Sequence, residues 1–397
     1  MSRSTYGLFA EEISFPTIRN TNVSYFDYAA TTFMPESVIQ KWCEINTNCG
    51  VSVGRSAGTM TAKAEEFLVQ SEDTFRSFFG FNNEYNFFYT KNVTESINIV
   101  ALGMEDMLKP LEIIAVGPYE HHSNYLPWKR LAEKTGAIFL EIPTNEFGDM
   151  DYSFIEQYRD RIKVLTVSAI SNSFGYKVDV TQISRMIKND TVLLVDQSQV
   201  TGHEKLTNNN RIDVHFISSH KMYGPKNISL VALREDFCEN LKPVLLGGGM
   251  VNSVGYKSSW NDGVKKFYSG TFDVALVCAF AEACKFISLI NYNDIQQRES
   301  ALFECINNKL HELDNISVIH TGNCASHIIT FTHKLIHPHD LNQMLANKNI
   351  IIRSGNLCSQ NAMRMMNVNA VNRISFGLGI RNMDIGNLIS ALKELEL

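Results

Sequence analysis

The sequence predicts an α/β protein in two parts. A large domain over residues 17–288 is built on a mostly parallel sheet, and a smaller α/β C-terminal domain covers 289–397, with residues 1–16 packing on the smaller one. Three observations predict this. At 397 residues the chain is too long for one ordinary core but suits a large domain with a smaller companion. Short β-branched or aromatic runs alternate with helical patterns over much of its length, the mark of a parallel sheet with crossover helices. From about residue 289 the texture changes to a few strand-like runs among helices.

Taken in order, strands are expected at Phe87–Thr90, Glu112–Val116, Val164–Ser168, Val192–Val195, Val214–Ser218 and Ile228–Leu233. Ile97, Val100, Met104 and Met107 step by one helical face, in a helix opening after Asn92. Pro127 suits the first turn of a second helix and Gly136 its end. In the smaller part, strands are expected at Ser326–Thr332 and Ile350–Ile352, with helices at Asn291–Glu312, Asp340–Asn347 and Asp384–Leu397.

Composition narrows the classes of function. Hydrophobic residues make up 44% and charged residues 20%, which is globular composition. The net charge of −6 leaves no basic excess to draw in nucleic acid or anionic lipid. The N-terminal segment lacks the apolar run of a secretory signal, and no apolar stretch approaches the roughly 18 residues of a membrane span. A cytoplasmic protein is expected. Eight cysteines are scattered without a CxxC pair, so neither a disulfide framework nor a zinc ribbon is expected. Cys278 and Cys284 fall on a helical pattern and read as core.

The most informative stretch pairs TVLLVDQSQ with VHFISSHKMYGP. One apolar strand ends in Asp196, and a second runs into Ser218, His220 and Lys221. Upstream, FFYTKNVTESINIV is strand, turn and helix, with Val93 and Thr94 at a helix N-terminus that offers N–H groups and a positive dipole end to a phosphate. GPYEHHSNYLPW places His121 after another strand, and SAISNSFG ends a fourth in Ser171 and Asn172. Singly, each has an ordinary alternative: Asp196 and Asn92 as helix caps, Lys221 and the histidines as surface residues. Together and in this order they supply what pyridoxal 5'-phosphate (PLP) requires. That cofactor needs a lysine to bind covalently, a carboxylate beside its pyridine nitrogen, a flat ring to stack on it and donors for its phosphate.

With YFDYAATT, TESINIVA, EHHSNYLPW, SNSFG, VDQSQ, SSHKMYGP, FYSGT and RSGNLC in this order, the chain resembles the class V aminotransferase-type PLP enzymes. Within them it is most similar to the cysteine desulfurase and selenocysteine lyase family, over the length from about Tyr25 to the C-terminus. The resemblance implies the PLP-dependent transferase fold type I, as in aspartate aminotransferase. It implies that Lys221 carries the cofactor as a Schiff base and shuttles the substrate's Cα proton. Asp196 would pair with the pyridinium, Gln199 contact the phenolic oxygen and His121 stack on the ring. Asn172 would lie near substrate and the cofactor oxygen, and Val93, Thr94, Ser218 and His220 near the phosphate. Gly270 and Thr271 match a pair that reaches the phosphate of a neighbouring subunit, implying a homodimer. Arg373 would clamp the carboxylate of L-cysteine or a related amino acid with its fork of donors. Arg353, Gly355 and Cys358 match an R-x-G-x-x-C segment whose cysteine takes sulfur from substrate as a persulfide, later passed to an acceptor protein.

The chain also departs from the pattern. Gly54-Arg55-Ser56-Ala57-Gly58 and Asn356-Leu357 stand where the family carries histidines, and FGLGIRN lacks a Tyr-Asn pair. These positions surround substrate and thiol, so a different amino-acid reaction stays open: selenocysteine lyase, aminotransferase, epimerase or biosynthetic lyase. A non-catalytic scaffold is a third reading, opposed by the presence of Lys221, Asp196 and His121. His333, His337 and His339 in THKLIHPHD lack metal-ligand spacing around them, and no metal is expected there.

Overall fold

The computed structural model describes residues 13–54, 57–207 and 211–395. Arg55 and Ser56, and residues 1–12 of the segment expected to pack on the smaller part, lie outside the described residues. Phe15, inside them, seats elsewhere than expected. Its ring lies 5.9 Å from Tyr223 and 6.1 Å from Phe286, in an aromatic cluster on the large sheet. The chain then crosses over, and Phe26 and Tyr28 join the core of the smaller part.

A short strand β1 (Ser24–Tyr25) precedes the large sheet, which is made of β2 (Tyr85–Thr90), β3 (Ile113–Val116), β4 (Ile138–Glu141), β5 (Ile162–Ser168), β6 (Val192–Asp196), β7 (Val214–Ser218) and β8 (Ser229–Arg234). Their order is β2-β8-β7-β6-β5-β3-β4, with only β8 running antiparallel to its neighbours. The expected strands are all present. β4, a half-buried edge strand, was not anticipated from the sequence.

Both faces of this sheet are covered. Along β5 and β6 successive side chains alternate between two cores: Leu165, Val167, Leu193 and Val195 on one side, Val164, Val192 and Leu194 on the other. A strand buried on both faces reads as a continuous apolar run, which is why VLLV was legible as a strand. Because β5, β6 and β7 are parallel, Ser168, Asp196 and Ser218 end at the same edge, where ligands of open α/β sheets gather.

A hairpin, β9 (Val251–Ser253) with β10 (Ser259–Trp260), follows the large sheet. The apolar helix Val274–Ile290 buries Cys278 and Cys284, as expected. At Asn291 (φ +66°) the axis bends by 76° into Tyr292–His311, whose first turn Asn291 caps through the Asp294 N–H. No single helix among the described residues is long and apolar enough to cross a membrane.

The second sheet has the order β11-β12-β15-β14, from β11 (Ile316–Ile319), β12 (Ile328–His333), β14 (Arg353–Gly355) and β15 (Val371–Ser375). The expected strand at Ile350–Ile352 does not join it. β13 (Ile350–Ile351) pairs in parallel with β1 instead. Register sets Arg353 directly opposite Arg373 on adjacent strands. Two guanidinium groups on neighbouring positions need a shared anion, and the fold supplies one from β1's side of the molecule.

Candidate active site

Twelve of the thirteen candidate residues line one cavity of about 290 Å³: Val93, Thr94, His121, Asn172, Asp196, Gln199, Ser218, His220, Lys221, Arg353, Cys358 and Arg373. The thirteenth, Thr271, is exposed and lies outside it.

The floor is the edge of the large sheet. Asp196 ends β6, and its Oδ1 accepts the Ser198 N–H at 2.9 Å. β7 ends at Ser218 and tightens into a single 3₁₀ turn, Ser219–Lys221, which swings the lysine back toward Asp196. Burial pulls the Lys221 amine down from its ordinary value to about 8; the Asp196 carboxylate opposes this, while Arg373 and Arg353 add to it. Gln199 donates Nε2 to the Ala29 carbonyl at 2.7 Å, and its buried Oε1 has no partner among the described residues.

One wall is the N-terminus of helix Val93–Gly103. Asn92 caps it by accepting the Glu95 N–H at 2.9 Å, and Glu95 accepts the Lys91 N–H at 2.7 Å in return. The first N–H groups of a helix have no carbonyl four residues back to bond, so they remain for a ligand. The Thr94 hydroxyl is 2.7 Å from that of Ser123, which is 3.0 Å from His121 Nδ1. The Ser123 N–H also donates to Nδ1, at 3.1 Å, so that nitrogen is the acceptor and the proton sits on Nε2. Burial, then the nearby Lys221, hold His121 down to about 3, which keeps the ring neutral where it lines the cavity. His220 is likewise lowered, to about 4, chiefly by burial, and its carbonyl accepts both the N–H and hydroxyl of Thr32.

Three residues that position the site were not singled out from sequence. Ser123 is within EHHSN, but nothing in the motif shows that its hydroxyl bridges Thr94 and His121. Glu120, its carboxyl raised to about 7 by burial, accepts the N–H and hydroxyl of Ser168 and the amide of Asn124. It thereby fastens the histidine loop to the end of β5. Asp27 is the third. Its carboxylate accepts Arg353 Nε at 2.9 Å and Nη2 at 2.8 Å, and Arg373 Nη2 at 2.7 Å. One anion thus holds both guanidinium groups at the cavity mouth, and Arg373, only 1% exposed, is not left as an unpaired buried charge.

Cys358 is exposed at the rim, in a turn between β14 and the helix Gln360–Met365. Gly355 precedes it at φ +99°, and Leu357 and Cys358 both have positive φ, a conformation costing non-glycine residues about 1–3 kcal/mol each. Both amide ends of Asn172 reach this turn and not the cavity floor.

The donor set fits PLP. A lysine and a carboxylate stand at adjacent strand ends, a neutral imidazole lies beside them, and a helix N-terminus with the hydroxyls of Thr94 and Ser218 can receive a phosphate. The orphaned Gln199 Oε1 is a further polar group facing a ligand space.

The histidines of THKLIHPHD serve local structure: His333 accepts two backbone N–H groups, and His337 caps the helix Pro338–Ala346. A different buried trio, His203, Glu299 and His327, has its ligand-type atoms within 4.8 Å of one another. Its geometry is that of a hydrogen-bonded pair with a stacked neighbour. His203 Nδ1 lies 2.6 Å from Glu299 Oε1, and the two imidazoles stack at 3.7 Å with planes 5° apart. Ring lone pairs lie in the ring plane, so parallel rings do not converge on one ion.

Residues 24–388 match the family model described as Aminotransferase class-V. A protein of Pyrococcus abyssi named as a probable cysteine desulfurase is 30% identical over 382 residues, covering 94% of each chain. One of Staphylococcus epidermidis with the same name is 29% identical, over 95% of this chain and 93% of that one. Among solved structures, the apo cysteine desulfurase of Thermococcus onnurineus superposes with a TM-score of 0.88 at 28% identity, covering 94% of both chains. A cysteine desulfurase of Escherichia coli, at 24% identity and a TM-score of 0.86, shares the fold. The chain belongs to the class-V aminotransferase family and is a PLP-dependent protein of its cysteine desulfurase type.

Proposed function

We infer that this chain converts L-cysteine to L-alanine and keeps the sulfur as a persulfide on Cys358. The observation that carries this reading is that Cys358 lines the same cavity as Lys221, Arg353 and Arg373. A thiol, a proton carrier and a carboxylate clamp thus address one bound amino acid.

When bound, PLP supplies the electron sink that makes the substrate's Cα proton acidic and its Cβ–S bond breakable. The chain's own residues do the rest. Arg373 offers its guanidinium to the substrate carboxylate and Arg353 stands beside it, both set by Asp27. The Lys221 amine takes the Cα proton and returns it, a task for which a value near 8 suits it better than that of an ordinary lysine. His121, neutral with its proton on Nε2, keeps the ring space free of a competing positive charge. The Cys358 sulfur forms a bond to the substrate sulfur as the Cβ–S bond breaks. Its electron pair stays with the carbon, which takes up a proton to become the methyl group of alanine. The persulfide then passes to the thiol of an acceptor protein, and the exposure of Cys358 supports that access.

The enzyme works as a homodimer, with Gly270 and Thr271 serving the partner's phosphate seat. The exposure of Thr271, away from its own chain's cavity, supports this reading.

The test is to add L-cysteine to purified yellow enzyme and quantify alanine, with Cys358→Ser in parallel. The wild type releases alanine and the variant does not, while both keep the cofactor absorbance. Alanine from the variant at the wild-type rate would remove Cys358 from the reaction. No alanine from either, with spectral change on other amino acids, would assign the site to a different substrate.

A further inference from the structure

Leu357 (φ +51°) and Cys358 (φ +54°) are consecutive residues in left-handed backbone, and neither is glycine or asparagine. L-residues avoid this region because Cβ crowds the following carbonyl, so such a pair persists only where its surroundings hold it. Two residues from outside the turn do so. Asn172 Nδ2 donates to the Leu357 carbonyl at 2.8 Å, and its Oδ1 accepts the Ser359 hydroxyl at 3.0 Å. His122 grips the other side: its backbone N–H donates to the Cys358 carbonyl at 2.7 Å, and its ring Nε2 accepts the Gln360 N–H at 3.1 Å. Asn172 itself is buried, and its backbone carbonyl accepts Arg373 Nη1 at 2.7 Å. One residue in the turn that follows β5 therefore touches both the turn that carries the thiol and the guanidinium assigned to substrate.

We propose that Asn172 is a positioning residue for Cys358, fixing the thiol-bearing turn over the cavity and at a set distance from Arg373. This rests on the desulfurase reading given above. Both ends of its amide bond the turn, so the contribution assigned to it is to where the thiol lies. Ser359 acts through it: the Ser359 hydroxyl reaches the Asn172 Oδ1, and without that acceptor it has only the Leu357 carbonyl at 3.5 Å.

The test is a double-mutant cycle on the loaded enzyme with Asn172→Ala, Ser359→Ala and the two combined. It is read by alanine release and by amide hydrogen exchange. Asn172→Ala lowers kcat about tenfold or more, because a displacement of the reacting sulfur by a fraction of an ångström is costly. KM for cysteine and the absorbance maximum of the cofactor stay within error. Ser359→Ala lowers kcat about threefold, the worth of one hydrogen bond. The combined variant is no slower than Asn172→Ala alone. Exchange quickens in residues 357–361 and at His122 but not in β5, β6 or β7.

Two outcomes overturn the proposal. One is a shifted cofactor spectrum in Asn172→Ala with exchange in the turn unchanged, which would place its action on the cofactor. The other is rate losses that multiply, which would separate Ser359 from Asn172. The exchange measurements need no substrate, so they report on the latch even if the wild type releases no alanine and the desulfurase reading fails.

Discussion

The strand-end wall and the thiol turn face each other across one cavity, and they are held in different ways. β6 and β7 are buried on both faces, with no residue at positive φ. Asp196 and Ser218 emerge from them with their directions set by sheet pairing. The turn at 355–359 has little pairing of its own: Gly355, Leu357 and Cys358 are all at positive φ, and the turn is kept in place by hydrogen bonds from Asn172 and from the histidine loop. The comparison teaches where each half of the chemistry resides. Holding a cofactor is a property of the rigid sheet edge, which tolerates little change. On the proposed reading, the fate of the substrate's sulfur is decided on a rim held by a few hydrogen bonds. Asn356 and Leu357, two of the positions where the sequence departs from the pattern it resembles, lie in this turn.

The sharpest break of the wall is Lys221→Ala. It removes the covalent anchor and the proton carrier together, so alanine formation falls by ~10⁴-fold, the upper range for losing a positioned acid–base group. The visible absorbance of the attached cofactor is lost with it. Activity surviving within tenfold of wild type would mean that another residue carries the proton.

Asp27→Ala strikes where wall and rim meet. It leaves Arg373 buried beside Arg353 with no carboxylate between them. Removing one partner of a buried pair costs about 3–5 kcal/mol, so urea denaturation shows a loss of that size. KM for cysteine rises as the two guanidinium groups lose their alignment. A loss below about 1 kcal/mol would show that water reaches Arg373 and the pair behaves as a surface ion pair.

How much of this was legible in sequence follows the same division. Asp196, Ser218 and Lys221 were readable because an apolar run that stops at a polar residue marks a buried strand's end. The helix at Asn92 was readable from its cap and its apolar face. Asp27 was not: its guanidinium partners lie 326 and 346 residues further along the chain, and no local pattern encodes such a contact. β15 escaped notice although Arg373 within it was named, because VNRIS mixes polar and apolar residues on a strand buried by its neighbours. Asn172 was found by its place after a strand, yet its bonds to Leu357 and Ser359 depend on a turn whose conformation the letters NLCS do not announce. The class-V fold, the cofactor and the desulfurase kinship could all be inferred from ordered short motifs, since each is a strand end or helix start with its own local signal.

A smaller effect separates the wall's electrostatics from its packing. In the cofactor-free protein, burial lowers Lys221 from 10.5 to about 8. Below pH 8 both folded and unfolded states carry the proton, and the folded state bears the cost of a partly desolvated ammonium. Between pH 8 and 10.5 the unfolded state binds more protons, so stability rises with pH and the cost disappears above that window. Lys221→Met removes the group, and at pH 7 the cofactor-free variant is the more stable by up to about 3 kcal/mol. The gap closes as pH approaches 10.5. An equal gap at both pH values would assign the difference to packing.

The gentlest probe belongs to the rim. Gly355 has φ +99°, and a Cβ there would approach His339 Cε1 to 2.9 Å. Gly355→Ala therefore meets two obstacles, a disfavoured backbone region and a ring that must give way. His339 is exposed and hydrogen-bonded to Ser354 at 3.1 Å, so the ring can swing aside at the expense of that bond. The backbone penalty remains, about 1–2 kcal/mol. It falls on a strand end two residues before the paired Leu357, so it shifts the thiol turn without touching the sheet edge. Cofactor absorbance and loading stay as in the wild type while alanine release slows severalfold. If loading falls as much as the rate does, the rim and the wall are one cooperative unit and the division drawn between them is wrong.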